Sequence, residues 1–218
     1  MSVGVDEEKR LAAQAAGELV QDGMRVGLGT GTTVAFLLDV LARRASRAVF
    51  VASSPRTEAA ARGLGLNVQP FDHISSLDLA IDGADQIVSD GWLIKGGGGA
   101  LTREKIVAAA AARFVVIADA TKVVDALHDP VPLELSAFGL AATLRRLETC
   151  VVRDWPASPD GGVIADYHGS VAAPEELAQW LSSTPGVVAH GLFAPELVSE
   201  LFVGMKDAVR HTITGGTS

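Results

Sequence analysis

Apolar residues along the first 120 positions follow two spacings, which predict helices and strands in alternation. Residues 6–20 begin with acidic side chains and then repeat aliphatic ones at helical spacing. Short apolar runs bounded by glycine or serine are typical of buried strands. The predicted helices are 6–20, 32–45, 55–65 and one through the alanines at 108–112, and the predicted strands are 24–29, 48–53, 77–84 and 114–119. This alternation predicts a Rossmann-like α/β domain, a parallel sheet with helices on both faces.

From about residue 128 the apolar segments become shorter and less regular. Strand-like runs at 150–155 and 161–169 and a helix from Pro174 predict a smaller α+β domain with a ferredoxin-like arrangement. The change occurs beside two prolines, Pro130 and Pro132, which are typical of a domain boundary. We therefore predict a larger, catalytic domain at 1–128 and a smaller domain at 129–204. A C-terminal strand at about 205–218 is expected to return to the larger domain.

Composition narrows the class of protein. The chain of 218 residues is 48% hydrophobic and 20% charged, as expected for a globular protein. Charges such as Arg113 interrupt the apolar runs, so no membrane span is predicted, and the acidic N-terminus does not fit a secretory signal. A cytoplasmic location is the default expectation. The single cysteine, Cys150, excludes an intrachain disulfide.

The charge distribution favours a small-molecule partner. The net charge is −8 and no block of Lys and Arg is present, which argues against nucleic acid. An anionic small ligand stays possible, because local donors decide binding once the overall field is screened beyond about 8 Å. The histidines lack metal-ligand spacing and the cysteine is single, so no zinc site is expected.

The stretch "GLGTGTT" lies where a predicted strand meets a predicted helix. Backbone N–H groups and hydroxyls there converge on the positive end of the helix dipole, which predicts an anion-binding loop. The glycine spacing does not fit the dinucleotide fingerprint, because its sixth position is a threonine. A plain strand-to-helix turn is the alternative. The candidate anion-binding residues are Thr30, Gly31, Thr32 and Thr33.

Two acids follow the next strand. Asp82 and Asp85 flank Gly83 and Ala84 at a predicted carboxyl end, where parallel α/β sheets bind their ligands. Ordinary turn-forming aspartates are an equally good interpretation of this pattern.

The stretch "LIKGGGGALTREK" places Lys95 before four glycines, Gly96, Gly97, Gly98 and Gly99. Bare backbone allows N–H groups to approach a ligand closely, and Glu104 follows in the first turn of a helix, where the dipole favours its ionised form. A lysine and a usable base are thus predicted together, with a solvated surface loop as the alternative. Lys122, after the strand at 114–119, and Lys9 could pair with an anion, although such lysines are more often surface residues.

Five segments, "GLGTGTT", "SSPRT", "IDGAD", "KGGGGALTREK" and "ADATK", together resemble ribose-5-phosphate isomerase type A in order and spacing. The resemblance extends over nearly the whole chain. It implies that Glu104 is the catalytic base, that Asp82, Asp85 and Lys95 assist, and that the reaction proceeds through a cis-enediolate without metal or nucleotide. It also implies that residues 30–33, 82–85 and 95–98 contact a sugar phosphate, with Lys122 and Lys9 helping to bind it.

Two positions depart from the family pattern. Gln86 stands where an acid is usual, which puts any role of that acid in doubt. The stretch "SPDGG" at 158–162 replaces a threonine-aspartate-asparagine-glycine-asparagine sequence, and we expect that change to affect packing rather than chemistry.

Other functions are compatible with parts of this pattern. A related sugar-phosphate isomerase or an amino-sugar-phosphate deaminase would use a similar sheet, and product analysis would distinguish them. A non-catalytic sugar-phosphate sensor would need a basic DNA-reading helix, which is not evident here. A CoA transferase with Glu104 as nucleophile fits the chain length poorly. Predicted exposed apolar edge strands make a homodimer or homotetramer plausible.

Overall fold

The computed structural model describes residues 3–44 and 47–214 of the protein. Its helices, in chain order, are α1 (Val3–Gly17), α2 (Thr32–Arg43), α3 (Pro55–Gly63), α4 (Leu101–Ala109), α5 (Leu140–Leu147) and α6 (Pro174–Ser183). Its strands are β1 (Arg25–Leu28), β2 (Val49–Ala52), β3 (Leu79–Asp82), β4 (Gln86–Ile87), β5 (Leu93–Ile94), β6 (Phe114–Asp119), β7 (Val131–Leu135), β8 (Cys150–Val152), β9 (Val163–Tyr167), β10 (Val187–His190), β11 (Leu192–Phe193), β12 (Glu200–Met205) and β13 (Ala208–Ile213).

The chain forms two compact units. The first comprises the residues up to Ala84, Arg103–Val123 and the residues from Pro195 onward, and the second comprises Asp85–Thr102 and Val124–Ala194. This division differs from the predicted boundary near residue 128, because segment 85–102 joins the second unit. The reason is that β5 pairs with both β4 and β11, and a pairing between residues about a hundred positions apart leaves no trace in local spacing.

The first unit contains a six-stranded sheet in the order β13-β12-β6-β3-β1-β2. All neighbouring pairs are parallel except β12 and β13, which form an antiparallel hairpin. The C-terminal return to this sheet therefore begins with β12, earlier than the predicted 205. Residues 215–218 of the predicted last strand and Ala45 of the predicted helix 32–45 lie outside the described residues.

Side chains of β1 show that helices cover both faces of this sheet, as predicted. Val26 and Leu28 point into a core cluster that contains residues of α1 and α2, such as Leu37. Gly27 faces the opposite side, because side chains alternate along a strand. A Cβ atom at Gly27 would lie 2.4 Å from a methyl carbon of Val107 on α4, so the glycine lets α4 pack closely.

The second unit contains a four-stranded antiparallel sheet in the order β10-β7-β9-β8. With α5 after β7 and α6 after β9, this is the βαββαβ order of a ferredoxin-like domain, as predicted. Its core consists of aliphatic side chains from the sheet and both helices, among them Leu133, Leu147 and Leu181. The strands β11, β5 and β4 form a separate three-stranded ladder in the same unit.

Among the described residues, no helix has both the length and the apolar character that crossing a membrane requires. Cys150 is half-buried on β8, where burial and the nearby Asp166 raise the pKa of its thiol to about 11. A thiol of that pKa is almost entirely protonated at neutral pH and is a poor nucleophile.

Candidate active site

In the first unit, the carboxyl ends of three adjacent parallel strands carry the predicted chemistry. In the sheet order β6-β3-β1, the chain leaves β1 into the loop before α2, β3 ends at Asp82, and β6 ends at Asp119. Because parallel strands end at the same edge of their sheet, these groups lie where α/β proteins bind ligands.

Asp82, at the end of β3, contacts the loop that follows β1. Its side chain is 3% exposed, and Oδ1 accepts hydrogen bonds from the backbone N–H groups of Thr30 at 2.9 Å and Gly83 at 2.7 Å. A Cβ atom at Gly29 would lie 1.8 Å from Asp82 Oδ1, so only glycine fits there. The carboxylate of Asp82 therefore fixes the loop of residues 29–33, which we call the threonine loop, and brings residues 30 and 82 together.

The threonine loop is also held from the side of α3. Thr30 Oγ1 lies 3.0 Å from Ser53 Oγ, and Thr57 Oγ1 donates to Gly29 O at 2.8 Å. Gly31 has a φ of 123°, in the region that favours glycine, and precedes α2. Because no side chain caps α2, the N–H groups of its first turn, at Thr32 and Thr33, keep their capacity to bind an anion.

The remaining predicted residues of this unit lie on three segments. Glu104 is in the first turn of α4 and only 4% exposed. The next residue, Lys105, has its pKa lowered to about 8 by burial. Lys122 is half-buried in a 3₁₀ turn, 120–122, directly after β6. Lys9 is 7% exposed on α1, with Nζ 3.9 Å from the Asp6 carboxylate.

In the second unit, Lys95 is deeply buried, at 2% exposed. It directly follows β5, and its backbone N–H donates to Gly191 O at 2.8 Å. Its Nζ lies 5.4 Å from the centroid of the Phe193 ring, within reach of a cation–π interaction. A Cβ atom at Gly191 would lie 2.2 Å from Lys95 O, so glycine is needed there. Neither Gly191 nor Phe193 was predicted from the sequence, since neither has a local signal.

The glycine loop, residues 96–99, is fixed by hydrogen bonds to neighbouring side chains. Gly96 and Gly99 have φ values of 102° and 75°, which other residues rarely adopt. Gly97 N–H donates to Asp85 Oδ2 at 2.8 Å, so Asp85 and this loop lie together. Gly98 lies between these held residues.

Two side chains outside the predicted set complete this loop's surroundings. Arg153 donates to Gly97 O at 3.2 Å and pairs with Asp166, with Nε 2.6 Å from Oδ2. The Trp155 ring adjoins Gly99, where a Cβ atom would lie 2.9 Å from Nε1. Sequence reasoning missed both side chains, because they approach the loop from the segment directly after β8, more than fifty residues along the chain.

Gln86, the first departure from the family pattern, has a structural role. It is 7% exposed, its Nε2 donates to His128 O at 2.8 Å, and its Oε1 accepts from His128 N at 2.9 Å. An amide provides one donor and one acceptor in a single plane, which this backbone pairing requires. Gln86 therefore holds the segment at His128 that leads into β7.

The "SPDGG" stretch, the second departure, also makes structural contacts. Ser158 Oγ donates to Glu134 Oε1 at 2.5 Å and accepts from Gly162 N at 2.9 Å. A Cβ atom at Gly162 would lie 2.3 Å from Glu134 Oε1. Glu134 is 2% exposed and also accepts from Thr102 Oγ1 at 2.5 Å. These contacts are packing contacts within one unit.

Replacing Gln86 by glutamate is expected to lower the free energy of unfolding by about 1–3 kcal/mol, because a carboxylate cannot donate to His128 O and would place charge against it. Urea denaturation at pH 7 would measure the change. Gln69→Glu is the matched control, because Gln69 is exposed and its side-chain amide donates to its neighbour Asn67. Equal stability of the two variants would contradict the assigned role of Gln86.

Comparison with known proteins places the chain in a family. The sequence model of ribose 5-phosphate isomerase A (phosphoriboisomerase A) matches residues 49–208. A relative from Roseiflexus castenholzii is 46% identical over 202 residues, 85% of this chain and 86% of that protein. A relative from Methanosarcina acetivorans is 43% identical over 222 residues, 95% and 94% of the two chains. Both are named ribose-5-phosphate isomerase A.

Solved structures of the same family superpose closely on this chain. Ribose 5-phosphate isomerase A from Neisseria gonorrhoeae superposes with a TM-score of 0.91 at 30% identity, covering 96% of this chain and 97% of that chain. A D-ribose-5-phosphate isomerase in complex with phospho-erythronic acid gives a TM-score of 0.90 at 31% identity, covering 98% and 100%.

Fold and sequence thus define the class of protein, an isomerase built on a parallel α/β sheet with a ferredoxin-like unit. The chain belongs to the ribose 5-phosphate isomerase A family. The resemblance seen in the five sequence segments is confirmed.

Proposed function

We propose that this protein interconverts D-ribose 5-phosphate and D-ribulose 5-phosphate through a cis-enediolate, with Glu104 as the base. One observation carries the proposal beyond family membership. Asp82, Lys95 and Glu104, the three groups expected to do the chemistry, are 3%, 2% and 4% exposed. Burial of ionisable groups is costly and seldom serves stability, so it is typical of functional sites.

The reaction divides into ring opening and proton transfer. Asp82 or Asp85 would assist ring opening and orient the sugar hydroxyls. Glu104 would then remove the proton from C2 and return it to C1, while the O1 oxygen gains a proton and the O2 hydroxyl becomes a carbonyl. A base positioned in this way is typically worth about 10²–10⁴-fold in rate.

The developing negative charge needs fixed donors. Lys95 would stabilise the enediolate oxygen, together with N–H groups of Gly96 and Gly98, while the Gly97 N–H donates to Asp85. The loss of one such donor typically costs about 2.7–4 kcal/mol. The dry surroundings of the Lys95 ammonium favour this role, because charge interactions strengthen where water is excluded.

The phosphate would occupy the opposite end of the substrate. Residues 30–33 offer backbone donors and hydroxyls at the start of α2, and Lys122 and Lys9 would add positive charge. Phosphate binding energy would be used to position C1 and C2, which are remote from it.

A homo-oligomer, dimer or tetramer, is proposed from the edges of the four-stranded sheet. Val151 on β8 is 59% exposed and Val188 on β10 is 53% exposed, so both edge strands present apolar side chains. Sedimentation equilibrium giving only monomer mass would reject the proposal. A cytoplasmic location stays a prediction.

The test of function uses the purified protein and ribose 5-phosphate with EDTA present. We expect ketose to form without added metal, and ribulose 5-phosphate recovered from D₂O to carry deuterium at C1, because the proton passes through an exchangeable base. Absence of ketose formation by the wild-type protein would overturn the assignment. Ammonia release from glucosamine 6-phosphate would indicate the deaminase instead.

A further inference from the structure

A hydrogen bond joins α1 to the turn that follows β6. The side chain of Glu8 is half-buried, and its Oε2 accepts from the backbone N–H of Ala120 at 3.1 Å. The two residues are 112 positions apart in the sequence. Glu8 directly precedes Lys9, and Ala120 begins the 3₁₀ turn that contains Lys122. The bond therefore connects the two segments that carry the lysines assigned to the phosphate.

The first two N–H groups of this turn have different acceptors: Glu8 accepts from Ala120 and Asp119 accepts from Thr121. Asp119, 1% exposed at the end of β6, accepts from Thr121 N at 3.0 Å and from Thr121 Oγ1. A helical turn leaves its first N–H groups without backbone partners, and Ala120 N–H is one of them. Without Glu8 the first donor of the turn would lose its protein acceptor.

The helix side of this contact is fixed as well. A Cβ atom at Gly204 on β12 would lie 1.8 Å from the carbonyl oxygen of Glu8, so the backbone of α1 rests directly on that strand. Gly204 is also the residue that pairs with Asp119 in the parallel ladder of β12 and β6. One position on β12 therefore contacts both the Glu8 backbone and the strand residue that precedes the turn.

We infer that Glu8 is a positioning residue for phosphate binding. By accepting the Ala120 N–H, it holds the Lys122 turn against the helix that carries Lys9, so both ammonium groups are arranged before the phosphate arrives. The inference rests on the proposed function for the identity of the substrate, but not for the geometry of the contact. The negative charge of Glu8 opposes phosphate binding, so its benefit lies in the hydrogen bond.

Two substitutions separate the hydrogen bond from the charge. Glu8→Gln keeps an acceptor oxygen and removes the charge, whereas Glu8→Leu removes both. The matched control is Glu7→Leu, because Glu7 lies beside Glu8 on α1 but pairs with Arg10 at the surface. We expect Glu8→Leu to raise KM for ribose 5-phosphate about 5–20-fold, with kcat within about twofold, in line with the loss of one hydrogen bond. Glu8→Gln and Glu7→Leu should stay near wild type.

A variant on the other partner tests the same bond without changing Glu8. Ala120→Pro removes the donor, and Asp119, with φ −88° and ψ 166°, already has the extended conformation that precedes proline. It should raise KM as Glu8→Leu does. The double variant should show no further increase, because both changes break one interaction. If Glu8→Leu does not fold, the KM of Ala120→Pro is compared with that of Glu8→Gln. A raised KM in Ala120→Pro alone supports the positioning role, and an unchanged KM in both contradicts it.

Binding of inorganic phosphate, measured by calorimetry, separates this inference from the proposed function. Weaker phosphate binding by Glu8→Leu, with rescue in Glu8→Gln, supports the positioning role even if ribose 5-phosphate proves not to be the substrate. Unchanged phosphate affinity and KM with only a lower melting temperature would show that the contact is merely structural and would overturn the inference. A fall in kcat at constant KM would also overturn it.

Discussion

Glu104→Gln is expected to lower kcat for ribose 5-phosphate by about 10²–10⁴-fold with little change in KM, which is the contribution typical of a positioned base. Glutamine keeps the shape of the side chain but cannot accept the C2 proton. Glu104 lies in the first turn of α4 and is 4% exposed, where the helix dipole favours a carboxylate. Steady-state kinetics in both directions would measure the effect.

Glu176→Gln serves as the control, because Glu176 also lies in the first turn of a helix, α6, but is exposed. The control should keep wild-type kinetics, and both variants should keep the wild-type melting temperature to within a few degrees. In D₂O, Glu104→Gln should also lose exchange at C1 of the ketose. A Glu104→Gln enzyme that retains most of its activity would remove Glu104 from the reaction.

Gly29→Ala is the second variant with a large expected effect. The added methyl carbon would lie 1.8 Å from Asp82 Oδ1 and 2.4 Å from its Cβ, far inside van der Waals contact. Either Asp82 or the threonine loop must move, which breaks the hydrogen bond from Thr30 N to Asp82. We expect kcat/KM to fall at least about 100-fold, because a displacement of about 1 Å at a site can cost that much.

Gly63→Ala gives the comparison for this variant, because Gly63 lies at the end of α3 and a methyl group there meets no atom within 4 Å. It should leave kcat/KM unchanged and raise helix stability slightly. Circular dichroism of Gly29→Ala would establish that the fold persists. Wild-type kcat/KM in Gly29→Ala would mean that the loop adapts freely and that Asp82 does not fix it.

Local patterns in the sequence were sufficient to predict the residues at the strand ends. The strand that ends at Asp82 and the turn "GLGTGTT" before α2 both have a strong local signal, and their contact follows from the rule that parallel strands end together. The helix α5 was not predicted. It is only eight residues long, and Gly139, in the left-handed conformation, precedes it as a non-helical N-cap with no capping side chain.

The supporting side chains could not be predicted in this way. Arg153, Phe193 and Glu8 reach the functional loops from distant positions. The Phe193 contact depends on the pairing of β11 with β5, the Glu8 contact on the pairing of β12 with β6, and Arg153 is held by Asp166 on β9. Nothing in the spacing near these residues indicates such a partner. The unusual amide at Gln86 was noticed as a departure, but its backbone pairing with His128 appears only when the fold is known.

The contacts of Asp82 have a consequence for the thermodynamics of substrate capture. The buried Asp82 carboxylate already accepts the Thr30 N–H, and the Ser53 and Thr57 hydroxyls contact the same loop. The threonine loop therefore has little conformational entropy left to lose. A phosphate ester that enters therefore meets a preorganised surface, and more of the interaction energy remains as affinity. Calorimetric titration should show binding that does not carry the large entropic penalty of a segment that folds around its ligand.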